Sequence, residues 1–307
     1  MPSISIVTPS LNQGRFIERT IRSVLDQRDS ALEYIVCDGG STDDTLQIVE
    51  RFAEQLTVVS EPDRGQADAL NKGIRATSGE VIGWLNSDDM YLPGALCRVA
   101  EFLAARPEVD VLYGDAHLID AEDAVVGVYY TEPWSAQRLV ERCILCQPAV
   151  FFRRRVVEQY GFLDAGLQLC MDYEYWLRLA AGGARFAYVP GALAASRLHP
   201  QTKTLGARLA VHMEINSMLR ERLGRVPDTW LLNHAHTLVE LRRADPTKRA
   251  YWFPYALEVV MQTARLSVHW NRSISTGLVA MAVAPLVYGA RRRLAESASM
   301  LSRSSPR

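Results

Sequence analysis

Ile4-Ser5-Ile6-Val7 runs straight into Thr8-Pro9-Ser10-Leu11-Asn12, and further on Tyr34-Ile35-Val36-Cys37 runs into Asp38-Gly39-Gly40-Ser41. Each is a short, β-rich apolar run that stops in a polar loop, as strands buried on both faces of a parallel sheet do. Between them Phe16, Ile17, Ile21, Val24 and Leu25 recur at helical spacing, which predicts a helix over 15–27. The alternation continues outward. Ser41-Thr42-Asp43-Asp44 supplies an N-cap and first-turn acids for a helix through Phe52, followed by a strand over 56–60, a helix over 66–76 and a strand over 81–85. Strands and helices in this order imply an α/β architecture with a mostly parallel sheet flanked by helices.

Past that point the register changes. Residues 111–119 and 125–130 read as a strand pair, 147–152 as another strand, and 172–181 as a helix stopped by Gly182-Gly183. Residues 185–189 and 193–198 read as two more short strands. Beyond Leu205 the β signal ends, and helical patterns cover 207–223, 229–243, 251–269 and 274–299. The expected division is therefore an α/β domain over 1–205 and an all-helical C-terminal region over 206–307.

Composition narrows the classes. With 307 residues, 48% apolar and 22% charged, the chain is globular, which excludes disorder and a disulfide scaffold. A net charge of −1 gives no broad pull toward nucleic acid. Charge is unevenly placed, however: Arg242 to Arg307 holds eleven Lys/Arg and three Asp/Glu, a net of +8, leaving −9 on the rest. A basic tail on an acidic body suits an anionic membrane surface. Ile274 to Ala290 carries no charged side chain and is bracketed by Arg272 and Arg291-Arg292-Arg293. It reads as an interfacial helix, a packed or oligomerising helix, or a short span. Five cysteines include one Cys-x-x-Cys, Cys143 to Cys146, with no second pair to complete a zinc site. Reduced thiols and no secretory leader before the first strand suggest a cytoplasmic protein, peripheral on the membrane if the tail binds there.

Ligands of open α/β sheets bind beyond the carboxyl ends of the strands. The loops there are Thr8-Pro9-Ser10-Leu11-Asn12, Asp38-Gly39-Gly40-Ser41, Glu61-Pro62-Asp63-Arg64-Gly65-Gln66 and Asn86-Ser87-Asp88-Asp89. Neither a dinucleotide-binding glycine fingerprint nor a P-loop is present, which excludes those ways of holding phosphate. Asp88 and Asp89 offer hard oxygen ligands instead, suited to Mg²⁺ or Mn²⁺ shared with a diphosphate. The bland alternative is an N-cap pair for a helix near Pro93.

Six segments in order carry a resemblance: Ser5 to Asn12, Asp38 to Thr45, Asp63 to Gly73, Gly83 to Asp89, Gln147 to Arg153 and Met171 to Leu179. Across residues 3–205 the chain resembles the family 2 glycosyltransferases with the GT-A fold, bacterial enzymes that use nucleotide-activated sugars. The resemblance implies that Pro9, Asn12 and Asp38 form the nucleoside pocket, and that Gln66, Asn71, Lys72 and Asn86 lie along the donor. It puts the metal mainly on Asp88, with Asp89 as a second ligand or sugar contact, because Asn86 replaces the first acid of the family's Asp-x-Asp motif. It makes Asp172 the base that deprotonates the acceptor hydroxyl, with Glu174 ranked second. Gln147, Glu174 and Trp176 are implied on the acceptor side, Trp176 either stacked on a sugar or packed in the core. His199 is a candidate metal ligand and Lys203 a candidate phosphate contact.

The function so implied is an inverting, metal-dependent transfer from a nucleotide-diphosphate sugar to a glycan or lipid-linked acceptor in surface-polysaccharide synthesis. A nucleotidyltransferase is the competing enzyme class, although the glycine- and lysine-rich loop it usually shows is absent. A non-catalytic sugar-nucleotide-binding protein is the third reading. Nucleic acid is not an expected partner; a second copy of the chain is an open one.

Overall fold

The computed structural model describes residues 1–27, 32–242 and 252–283, apart from 279 and 282. The chain divides into two compact units, Met1–Gly206 and Ala207–Arg307.

In the first unit, β1 (Ile4–Ser10), α1 (Ile17–Leu25), β2 (Leu32–Asp38), α2 (Thr45–Glu50), β3 (Thr57–Ser60), α3 (Gln66–Ala76) and β4 (Val81–Trp84) follow the alternation read from the sequence. β1 pairs in parallel with both β2 and β4, and β2 with β3. Every residue of β1 is buried, as a central strand covered on both faces requires. Gly73 lets α3 lie close on that layer: a Cβ there would come within 2.3 Å of Val7 Cγ1.

After β4 come β5 (Met90–Tyr91), α4 (Ala95–Ala105), β6 (Val111–Ile119), β7 (Val125–Val128), α5 (Ala136–Glu141), a 3₁₀ turn (Gln147–Ala149), β8 (Val150–Arg153), α6 (Arg154–Tyr160), α7 (Met171–Ala181), β9 (Phe186–Arg197) and α8 (Lys203–Gly206). The strand order is β3-β2-β1-β4-β8-β6-β9-β5, with β7 on β6. β8 enters antiparallel between β4 and β6, so the sheet is mixed. The two short strands expected over 185–198 are one strand, β9, whose pairing with β6 shifts register near Asp115. That shift accommodates Pro190 and Gly191, the residues that break the apolar run in the sequence.

The second unit holds α9 (Arg208–Leu223), α10 (Asp228–Arg242) and α11 (Trp252–Asn271). Ala235, Val239 and Val259 form its described core, with Leu232, Tyr255 and Leu266 packed on them. Its interior is also polar: the His212 and His234 rings stack with centroids 5.5 Å apart, and Asn216 Nδ2 lies 2.9 Å from His234 Nδ1. Most of the helix expected over 274–299, with the arginines at 291–293, lies outside the described residues. No helix among the described residues is long and apolar enough to cross a membrane.

Candidate functional site

The loop leaving β4 carries Asn86, Ser87, Asp88 and Asp89, and its two acids meet different surroundings. The Asp88 side chain is 19% exposed and its Oδ2 lies 3.1 Å from His199 Nε2, across 111 residues of sequence. Asp89 is 3% exposed and its oxygens face donors of the protein: the Arg197 backbone N–H at 2.8 Å and Asn86 Nδ2 at 3.2 Å. Burial, and then the neighbouring Asp88 charge, push the Asp89 carboxyl well above the usual carboxylate range. Thr20 Oγ1 donates to the Ser87 and Asp89 carbonyls at 2.9 and 2.8 Å, tying the loop to α1. Asp88 thus stays partly exposed beside a buried His199, while Asp89 anchors the loop.

Asn86 is the hub of this anchoring. Its Oδ1 accepts from Gln66 Nε2 at 2.6 Å and Trp84 Nε1 at 2.8 Å, and its Nδ2 donates to Gln147 Oε1 at 2.9 Å. Gln147 in turn donates to the Trp84 carbonyl at 2.6 Å. An amide, with both donors and acceptors, fits this position; a carboxylate would lose the donors and stand against Asp89. Gln66 extends the chain of contacts to Lys203, whose Nζ donates to Gln66 Oε1 at 2.8 Å and to the Gln168 carbonyl at 2.7 Å.

The loops after β1 and β2 close on each other. Asn12, at a left-handed φ of 54°, accepts from the Thr42 N–H at 2.8 Å and donates its own N–H to Ser41 Oγ at 2.8 Å. Asp38 is buried, accepting from the Gly40 and Ser41 N–H groups at 3.0 Å each and from the Ser41 hydroxyl. Pro9 lies buried in β1, paired with Cys37. Lys72, on α3, is held by Glu61 at 2.9 Å and by the Pro62 carbonyl at 2.9 Å.

Asp172 sits half-buried in the first turn of α7. Its charge bears on the segment that joins α5 to the 3₁₀ turn. Burial first, and Asp172 next, push the Cys143 thiol up to about 12. The Cys146 thiol is raised by burial and by both Asp89 and Asp172. Asp172 and Asp89 therefore both bear electrostatically on this segment. All five cysteines are free thiols.

The conserved-domain profile described as "Glycosyl transferase family 2" matches residues 5–161. The chain belongs to this family. It is 29% identical over 182 residues to a PGL/p-HBAD biosynthesis glycosyltransferase of Mycobacterium bovis, which covers 58% of this chain and 69% of that one. Among solved structures it is similar to S. aureus TarS 1-349 in complex with UDP-GlcNAc, with a TM-score of 0.62 and 17% identity over 94% of this chain and 87% of that one. It is also similar to the mannosyltransferase PcManGT from Pyrobaculum calidifontis in complex with GDP-Man and Mn2+, with a TM-score of 0.58 and 20% identity over 95% and 81%. At those identities the structures establish the fold, that of GT-A glycosyltransferases.

Within this family 2 glycosyltransferase several residues expected in the site are committed to the fold. Asn71 is buried and clasps Leu163, donating to its carbonyl at 2.8 Å and accepting from its N–H at 3.1 Å. Glu174 is buried and its carboxylate is gripped by Arg178 at 2.9 and 3.1 Å, which corrects its reading as an acceptor contact or second base. Trp176 is 1% exposed and packs against Phe152 and Tyr175, which settles its two alternatives in favour of the core. The second-ligand role for Asp89 gives way to its role as loop anchor, and Gln147 serves Asn86 instead of an open face. Sequence reading missed Phe16 and Arg197. The Phe16 ring is buried 4.8 Å from the His199 ring, with the Arg197 guanidinium 4.9 Å from its centre. The one available signal was the two-residue spacing of Arg197 and His199 at a strand end.

Proposed function

We propose that this glycosyltransferase moves a sugar from a nucleoside-diphosphate donor to a hydroxyl of a glycan or lipid-linked acceptor, inverting the anomeric carbon, in surface-polysaccharide synthesis. One observation carries the reading: the 3.1 Å approach of His199 Nε2 to Asp88 Oδ2 beyond the carboxyl end of β4. Among the described residues no cluster of three or more His, Cys, Asp or Glu side chains has metal-holding geometry. A carboxylate–imidazole pair still fits a Mn²⁺ or Mg²⁺ ion that takes few protein ligands and completes its shell from phosphate and water. The chemistry supplied by such an ion is neutralisation of the charge on the departing diphosphate. The Mn2+ and GDP-Man in the PcManGT complex, and the UDP-GlcNAc in the TarS complex, support the same reading.

The chain's own groups do the rest. Asn12, Asp38 and Pro9 shape the nucleoside end, and Gln66, Lys72 and Lys203 line the diphosphate and sugar side. Asp172 accepts the proton of the acceptor hydroxyl as that oxygen attacks the anomeric carbon opposite the leaving group. The bond from that carbon to the diphosphate oxygen breaks in the same displacement. Asp172→Asn should lower turnover by roughly 10²–10⁴-fold and leave the donor dissociation constant nearly unchanged. Excess EDTA should stop turnover of the unaltered enzyme. Lost donor binding in Asp172→Asn with turnover intact at saturation would move the base elsewhere, and full activity in EDTA would remove the metal.

The net +8 of the last stretch of sequence supports a place for the enzyme at the cytoplasmic face of an anionic membrane, reached through the helical unit. The full chain should float with anionic but not neutral vesicles, and less so as salt rises. Indifference to lipid charge returns the helices to packing or self-association.

A further inference from the structure

Arg197 stands at the end of β9 with its side chain 0% exposed, and besides the face of the Phe16 ring it reaches groups in two places. On one side, its backbone N–H holds Asp89 Oδ1 at 2.8 Å and its Nε donates to the Asp88 carbonyl at 2.7 Å. On the other, its guanidinium donates to the Asp120 carbonyl at 2.7 Å and pairs with the Asp123 carboxylate at 2.5 Å. Asp120 and Asp123 lie in the turn between β6 and β7, far from the donor loop in sequence.

That turn is specially built. Asp120 Oδ1 accepts from the Glu122 and Ala124 N–H groups at 3.0 and 2.9 Å, which rolls the backbone over. Asp123 then takes a left-handed φ of 72°, a conformation that non-glycine residues adopt at a cost and Asp tolerates better than most. Its carboxylate pairs with two cations, Arg19 at 2.9 Å and Arg197. Arg19 also donates to the Ala121 carbonyl at 3.2 Å, so α1 and β9 grip the turn together. A fork of donors fixed at both ends transmits position in a way that a flexible ammonium does not.

We propose that the Asp123–Arg197 pair is a positioning device for the donor site, through which the β6–β7 turn holds the Asp88 loop at its distance from His199 and so sets affinity for the divalent cation. The inference rests on the reading of Asp88 and His199 as the cation-holding pair. Asp123 is 33% exposed, so the neutral isostere Asp123→Asn should fold. Binding of Mn²⁺ alone is followed from the free-ion electron paramagnetic resonance signal, alongside thermal unfolding, in the full chain.

Asp123→Asn, Asp123→Gly and Arg197→Lys should each bind Mn²⁺ at least about ten-fold more weakly, the scale of lost outer-shell support, and the two Asp123 variants should keep kcat at saturating Mn²⁺ nearly unchanged. Asp88→Ala, run in parallel, should lose Mn²⁺ binding. If Asp88→Ala loses Mn²⁺ but both Asp123 variants bind it as the unaltered chain does, the positioning role is overturned and the cation site stands. If Asp123→Gly alone restores affinity, the carboxylate is not the working group and the proposal fails. If Asp88→Ala keeps full Mn²⁺ affinity, the underlying cation site is itself wrong.

Discussion

The two ends of one sheet use charge in opposite ways. At the amino-terminal end of β4, Val81 pairs with Arg153, and three consecutive arginines are spent on the chain's own carbonyls. Arg153 donates to the Val109 and Leu103 carbonyls at 2.8 and 2.7 Å, Arg154 to Gly79 at 2.7 Å, and Arg155 to Pro107 at 2.9 Å. A cleft of about 360 Å³ lies there, lined by these arginines with Glu80 and Glu158. At the carboxyl end of β4 the loop itself carries the acids Asp88 and Asp89, and Asp88 is oriented toward His199 instead of a backbone donor. The cations of that cleft are committed to partners in the chain, whereas the Asp88 carboxylate keeps part of its surface exposed.

Exchanging the two ends by mutation sharpens the contrast. Asp88→Ala should give the largest effect on activity, at least 10²–10³-fold in turnover, the scale of losing charge stabilisation at a leaving group. Its unfolding temperature should stay close to that of the unaltered chain, because the Asp88 side chain supports little else. Arg153→Ala should do the reverse. It strips buried donors from the Val109 and Leu103 carbonyls and the partner from Glu80, and should cost about 3 kcal/mol of stability, measured by denaturant unfolding, while kcat per folded molecule is kept. Equal stability losses from the two substitutions would erase the distinction between the ends.

The smallest expected effect separates the α/β unit from the helical one. Burial, with the neighbouring His234 and Arg208 charges, lowers the His212 imidazole to about 4. Burial lowers His234 and His236 in the same direction. The unfolded chain then binds protons that the folded helices refuse, so stability falls as pH drops from about 6.5 toward 4 and levels below that. Amide hydrogen exchange across that window should show protection in α9 and α10 declining first. Protection that is flat across it would mean that these rings ionise without resistance.

Much of this was legible in sequence, for reasons that can be named. Buried parallel strands announce themselves as unbroken apolar runs, so β1, β2 and β4 and the loops at their ends could be placed. Strand direction leaves no such mark, which is why the antiparallel entry of β8 was not foreseen. On α7 the pattern misled: Glu174 and Trp176 lie beside Asp172 in sequence, but α7 is buried on nearly every face and encloses them both. Arg178, four residues after Glu174, was the visible clue to that ion pair. Asn86 reads in sequence only as a donor contact standing where the family has an acid, because its amide partners come from segments as distant as Gln66 and Gln147.

The separation of Asp88 from His199 also bears on the order in which the molecule assembles. Strands β1 to β4 are complete by Trp84, but the histidine follows β9, which pairs with β6. Contacts of such long range form late, since the loops they close must be ordered first. A nascent or partly folded chain would thus hold Asp88 without its histidine partner. On the proposed reading, a divalent cation would then be held only by molecules in which β9 has docked.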